Sequence, residues 1–171
     1  MKPIVIKLSG KVLAEPAAFS NILAQVCTLA PHWQPILVHG AGPQISQALA
    51  NAALVQRQFQ GLRYTCQQAM ALIDGLYQQL TANAEAVVRD LGHSLQAHHC
   101  SPTVGLHTQW HTPSVLGHVG KIAQVDTAQL RLALASHPLH WLSPISRAPQ
   151  AALNINADWV ATDIAAALQC P

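Results

Sequence analysis

The sequence predicts an α/β domain built on a parallel sheet with helical cover. Short apolar runs alternate with stretches at helical spacing, giving a β-α-β-α order from the amino terminus. The run Pro35 to Leu49 passes from an apolar strand, Ile36 to Val38, through the small-residue turn His39-Gly40-Ala41-Gly42, into a helix from Pro43 that carries Ile45 and Leu49. Such a turn leaves backbone N–H groups directed at open space, a good place for an anion. The chain has 171 residues, half of them hydrophobic, which suits one domain with a real core.

Composition narrows the function. Only 9% of residues are charged and the formal net charge is +2. Basic residues are scattered without interleaved aromatics, so nucleic-acid binding has little support. No apolar segment is long enough to cross a membrane. The amino terminus enters a strand-like run without a signal-peptide arrangement, which points to the cytoplasm. Cys27, Cys66, Cys100 and Cys170 are widely spaced and fit reduced, packed thiols. A weakly charged surface repels its neighbours poorly, so an exposed apolar patch would find a partner.

The elements follow in order. Ile4 to Leu8 reads as a strand, with Lys7 near its end and Ser9-Gly10 after it. Lys7 is either a strand-end lysine with a packed stem or a cation placed for a phosphate, with Ser9 and Gly10 as further donors. Pro16 suits a first helical turn, and Phe19, Ile22, Leu23, Val26 and Leu29 recur at helical spacing up to Pro31. Gln60 to Thr65 reads as a small polar hairpin, and Thr65 as the cap of a helix over residues 67–91. That helix carries a stripe of Leu72, Ile73, Leu76, Leu80, Ala84, Val87 and Val88, and Gly92 stops it. Arg63 is either a solvated arginine or a planar fork for a carboxylate.

Thr103 to His107 reads as a strand, and Leu116 to Asp126 as a bent β-ribbon. Asp126 or Thr127 caps a helix through Leu134, Pro138 breaks it, and His140 to Ile145 returns to strand. Ser146 to Gln150 reads as a loop. His98, His99, Cys100, His107 and His111 raise the question of a metal, but adjacent strand residues point apart, and scattered histidines are expected instead. Along Ala151 to Leu168, Asn154, Asn156 and Asp158 alternate on an extended run and can line one side. Asn156 or Asp158 also sits where a helix cap is needed before Val160, Ile164 and Leu168.

Five ordered stretches resemble the amino-acid kinase family, in its acetylglutamate kinase branch. They are Ile6 to Gly10, His39 to Pro43, Gly61 to Thr65, Leu116 to Gly120 and Asn154 to Asp158. The resemblance implies a three-layer αβα sandwich and one domain over residues 1–171, equivalent to the lobe that binds N-acetyl-L-glutamate. By the same resemblance Lys7 stabilises a transferring phosphoryl group and Asp158 orients the catalytic lysines. Gly40, Ala41 and Gly42 form the N–H cradle, Arg63 takes the α-carboxylate and Asn154 contacts the substrate. Lys7, Ser9 and Gly10 face the phosphate donor. The implied reaction moves a phosphoryl group from MgATP to the side-chain carboxylate, a step of arginine biosynthesis. Positioning of charge and donors is what such chemistry needs.

The family's ATP-binding carboxy-terminal lobe and second catalytic lysine are expected to be absent. The lone chain is therefore expected to bind no cofactor and to be inactive, with MgATP entering only beside a complementary lobe. Expected partners are N-acetyl-L-glutamate or a similar small carboxylate, and either a second copy in a homodimer or that complementary lobe. The alternatives are a non-catalytic binding or dimerisation module and, last, an enzyme of another class acting through its histidines. Ala41 replaces the middle of the family's triple glycine. Its methyl is harmless unless the position needs a left-handed backbone.

Overall fold

The computed structural model describes residues 1–112, 114–148 and 151–170. Nine strands occur among them: β1 (Lys2–Leu8), β2 (Trp33–His39), β3 (Gln58–Phe59), β4 (Leu62–Arg63), β5 (Gln96–Cys100), β6 (Leu106–Trp110), β7 (Val119–Val125), β8 (His140–Ala148) and β9 (Ala151–Ile155). The α-helices are α1 (Gly10–Leu13), α2 (Pro16–Leu29), α3 (Gly42–Asn51), α4 (Gln67–Asp90), α5 (Thr127–Leu134) and α6 (Ala157–Leu168). Seven strands form one sheet in the order β1-β2-β8-β9-β7-β6, with β5 also on β8; β3 and β4 form a separate hairpin. The β1–β2, β2–β8, β5–β8 and β7–β9 ladders are parallel, and β6–β7 and β8–β9 are antiparallel.

Strand alternation fills both faces of this sheet. Ile36 and Val38 of β2 and Leu142 of β8 pack with Leu130 and Leu134 of α5 and Val160 and Ile164 of α6. Leu37 and Trp141 point the other way, onto Phe19, Leu23 and Val26 of α2 and Ala84 and Val88 of α4. Ile45 and Leu49 of α3 join Met70, Ile73 and Tyr77 of α4 and Ile145 of β8 on that second face. The three layers are the αβα sandwich the family resemblance implied.

The length of β8 creates the site. Its first half pairs with β2, through Ile36↔His140 to Val38↔Leu142. Its second half pairs with β9, through Ile145↔Asn154 to Ala148↔Ala151. Cys100 of β5 already pairs Ser146 along the opposite edge, so β9 continues along β8 on the side where β2 stops. The end of β9 therefore arrives over the end of β2, and α6 begins beside the end of β1.

Several local expectations change. Cys66, not Thr65, caps α4, its sulfur accepting from Ala69 N–H at 3.5 Å. Thr65 is held out of the helix by its own backbone, which bonds Leu116 and His118 and bridges Gly117. Leu72 is exposed, because the buried stripe of α4 runs through Ala69, Met70, Ile73, Tyr77, Leu80, Ala84 and Val88. Residues 102–104 form a 3-10 turn closed by Gly105 at φ 76°, and the strand begins only at Leu106. Gly105 cannot be replaced there, since a Cβ would lie 2.5 Å from Asp126 O. In the Leu116 to Asp126 stretch, regular strand starts at Val119. Residues 146–148 are strand rather than loop, because Ser146 and Arg147 pair with Leu153 and Ala152; Pro149 and Gln150 of that expected loop lie outside the described residues. All four cysteines are free thiols, and among the described residues no helix is long and apolar enough to cross a membrane.

Candidate functional site

A cleft of about 310 Å³ opens where the ends of β1, β2 and β9 meet the β3–β4 hairpin. Lys7, Ser9, Gly10, Gly40, Ala41, Gly42, Arg63, Asn154 and Asp158 all line it. These are the residues singled out along the sequence, separated by up to 151 positions and gathered by the strand ends. Ligands of open α/β sheets bind at such strand ends.

One wall of the cleft is built by β1 and α6. Lys7 is the penultimate residue of β1, and its Nζ lies 2.9 Å from an Asp158 carboxylate oxygen. Asp158 is not on the extended run; it is the second residue of α6. Asn156 is the cap, its Oδ1 accepting from the N–H groups of Asp158 at 2.8 Å and Trp159 at 3.2 Å. The pair is partly exposed, so it adds little stability. Its effect is to fix the direction of a long, flexible lysine.

The glycine turn supplies the floor. Gly40 N–H is already used, donating to Leu8 O at 2.9 Å. Among the described residues the N–H groups of Ala41 and Gly42 have no acceptor, so the open cradle is one residue shorter than the sequence suggested. Ala41 sits at φ −138° and ψ 30°, outside the left-handed region, with its methyl buried against α3 and α4. The alanine therefore leaves the cradle open. The residue that must be glycine is Gly10. A Cβ there would meet Pro43 Cδ at 2.9 Å and Gly42 N at 3.0 Å, because the start of α1 is wedged against the start of α3. Gln44 ties the two together, donating from Nε2 to Gly10 O at 2.7 Å. Gly10→Ala is expected to destabilise the fold by about 1–3 kcal/mol, the usual cost of forcing atoms into a packed site. Urea unfolding at neutral pH checks it, and an unchanged midpoint would show that the wedge relaxes freely.

The opposite wall is formed by Arg63 of β4 and Asn154 of β9. Arg63 is half-buried at the end of β4, and its Nη2 donates to Ser46 Oγ at 2.9 Å and Gly42 O at 3.3 Å. Burial pulls its pKa below the ordinary value, partly offset by Tyr77. Asn154 donates from Nδ2 to Thr65 Oγ1 at 3.2 Å, and Thr65 Oγ1 donates to Arg63 O at 3.0 Å. One chain of hydrogen bonds thus joins β9 to the hairpin. The sequence reading missed Lys11, Gln58 and Tyr77 as lining residues. Lys11 stood one position past a recognised motif. Tyr77 belongs to a helix stripe that reads as ordinary core.

Two of the histidines, His98 and His140, stack on each other with ring centroids 5.2 Å apart. His98 Nε2 lies 3.0 Å from His140 Nδ1, while His140 Nε2 faces the carbonyls of Leu134 and His137 at 3.0 and 2.9 Å. The two carbonyls require a proton on His140 Nε2, so Nδ1 accepts and His98 donates. Burial, then the His140 charge, pushes His98 down to about 4. Among the described residues no three His, Cys, Asp or Glu side chains converge on a metal-sized space.

The sheet-end cleft thus gathers a paired lysine, free backbone N–H groups and a half-buried arginine, a donor set of the kind that suits small anions. The chain belongs to the amino acid kinase family, whose model matches residues 2–171. It is 33% identical to acetylglutamate kinase of Streptomyces coelicolor over 98% of this chain and 58% of that relative. It is also 33% identical to acetylglutamate kinase of Chloroflexus aggregans over 96% of this chain and 66% of that relative. The chain therefore spans about three-fifths of the length of such relatives. The fold is shared with N-acetylglutamate synthase of Neisseria gonorrhoeae complexed with coenzyme A and N-acetyl-glutamate, with a TM-score of 0.85 at 20% identity, over 99% of this chain and 40% of that one.

Proposed function

We propose that the domain binds N-acetyl-L-glutamate as the substrate-holding part of an acetylglutamate kinase-like activity. The observation that carries the reading is the convergence of Lys7, Ala41, Gly42, Arg63, Asn154 and Asp158 on one cleft. In this reading Arg63 and Asn154 hold the α-carboxylate end. The N–H groups of Ala41 and Gly42 face the side-chain carboxylate, and Lys7, aimed by Asp158, neutralises charge on the transferring phosphoryl group. Ser9 and Gly10 border the side from which the phosphate donor approaches. Fixed donors and charges of this kind are the main contribution a protein makes to phosphoryl transfer.

In this reading the donor is MgATP, held by a complementary nucleotide-binding lobe. Transfer then requires a complementary lobe, and residues 1–171 alone bind without turning over. Calorimetric titration with N-acetyl-L-glutamate, with glutamate and ATP as controls, tests this. The expected result is saturable binding that favours the acetylated ligand, with no heat from ATP. Absence of heat at millimolar N-acetyl-L-glutamate from folded protein would favour a non-catalytic assembly module, and binding of ATP alone would overturn the need for a second lobe.

A further inference from the structure

One polar group beneath the cleft has no use in the reading above. Tyr77 belongs to the buried stripe of α4, and only 2% of its surface is exposed. Its ring stands edge-on to His39 with centroids 5.3 Å apart, in the same packed cluster as Ala41, Ile45 and Ile145. Of that cluster Ala41, Ile45 and Tyr77 also line the cleft.

A buried tyrosine hydroxyl normally finds a hydrogen-bond partner. This one has none among the described residues. Arg63 Nη2 donates to Ser46 Oγ and Gly42 O, His39 Nε2 meets Ser143 Oγ, and Thr81 Oγ1 donates to the Tyr77 carbonyl rather than its phenol. Nor is the hydroxyl sealed in the core. Among the described residues the enclosed polar side-chain atoms without a partner are those of His39, Gln44, His111 and Trp141, and the phenol oxygen is not one of them. Tyr77 lines the cleft, so the cleft is where its hydroxyl opens. Burial holds its pKa well above the ordinary phenol value, with Cys100 adding to the rise and Arg63 opposing it. The hydroxyl therefore keeps its proton at neutral pH and stays a donor, close enough to Arg63 to feel its charge.

We propose that the Tyr77 hydroxyl donates to the ligand carboxylate that Arg63 holds, so that Tyr77 reads the same group from the cleft floor. A carboxylate accepts an arginine fork and an O–H at once, because its two oxygens offer several lone pairs. With no protein partner of its own, this donor gains a hydrogen bond only from what occupies the cleft. The assignment rests on the substrate reading above and adds a specificity-determining residue to it.

Tyr77→Phe tests it, since the ring keeps its place against His39 and only the hydroxyl is lost. Calorimetric titration of wild type and variant with N-acetyl-L-glutamate is paired with urea unfolding of both without ligand. The variant is expected to bind roughly tenfold more weakly, while its unfolding midpoint stays level or rises, because the lost hydroxyl leaves no protein partner behind. With ligand isotopically labelled at both carboxyl carbons, the bound α-carboxyl resonance in the carbon NMR spectrum moves in the variant and the side-chain carboxyl resonance does not. Unchanged affinity, a lowered unfolding midpoint, or movement of the side-chain carboxyl resonance alone would overturn the role of Tyr77, while wild-type binding keeps the substrate reading. Folded wild type that binds no N-acetyl-L-glutamate would remove the substrate reading and this role with it.

Discussion

Replacing Arg63 by alanine is expected to weaken N-acetyl-L-glutamate binding by tenfold to a hundredfold, about 1.4–3 kcal/mol. The guanidinium is half-buried and already oriented, with Nη2 shared between Ser46 Oγ at 2.9 Å and Gly42 O at 3.3 Å. That leaves its remaining N–H groups presented to the cleft at no further ordering cost, as a fork that matches a carboxylate. Burial lowers its pKa, but an arginine keeps its charge throughout the accessible range. Alanine removes the charge and the fork together. Lysine restores only a point charge and cannot bridge Ser46, Gly42 and a ligand at once, so Arg63→Lys recovers less than half of the loss in free energy. The fold should survive, because the groups left behind lie at the cleft mouth where water reaches them. Calorimetric titration of both variants checks this, with urea unfolding as the control. An Arg63→Ala protein with wild-type affinity would remove Arg63 from the site.

What the sequence made legible follows from how the site is built. Each motif lies at the end of a strand, and strand ends are announced locally by apolar runs stopping at Gly, Asn or Ser. The glycine turn after β2 and the hairpin around Gly61 are therefore readable one at a time. Their convergence depends on β8, whose split pairing between β2 and β9 has no local signature. Asp158 reads as part of an extended run for the same reason: alternation continues through Asn154 and Asn156, and only the Asn156 cap shows where the helix takes over. The Thr65 cap failed for a tertiary reason. A threonine before a helical stripe is a good local cap, but its backbone is claimed by Leu116 and His118, and the cap passes to Cys66. The partnered Gly40 N–H is likewise a sheet effect, since it donates to Leu8 on the neighbouring strand.

His39, one residue before the cradle, should make the domain acid-labile. It is wholly buried, stacked on Trp141 with ring centroids 4.3 Å apart and edge-on to Tyr77 at 5.3 Å. Its Nε2 meets Ser143 Oγ at 2.9 Å, while its Nδ1 has no partner among the described residues. Burial pushes its pKa from 6.5 down to about 3, against a smaller opposing contribution from Gly40. The unfolded chain thus binds a proton near pH 6.5 that the folded chain refuses until about pH 3. Between those values the unfolded state holds more protons, so stability rises with pH and falls as acid is added. By about pH 4.5 the loss from His39 is roughly 3 kcal/mol, a large fraction of a typical domain's stability. His98, held at about 4 by burial and by His140, adds to the loss with the same sign. His39→Phe keeps an aromatic ring against Trp141 and Tyr77 and removes the titration. Ser143 Oγ retains Thr81 Oγ1 at 3.4 Å, so the neutral-pH cost should be about 1 kcal/mol. Urea unfolding at about pH 7 and about pH 4.5 then distinguishes the two proteins: wild type loses stability steeply, and His39→Phe loses roughly 3 kcal/mol less. Parallel losses in both would place the acid sensitivity in the His98–His140 pair instead. Because His39 ends the strand that leads into Gly40, its protonation loosens the cleft floor with the core, and ligand affinity should fall over the same pH interval as stability.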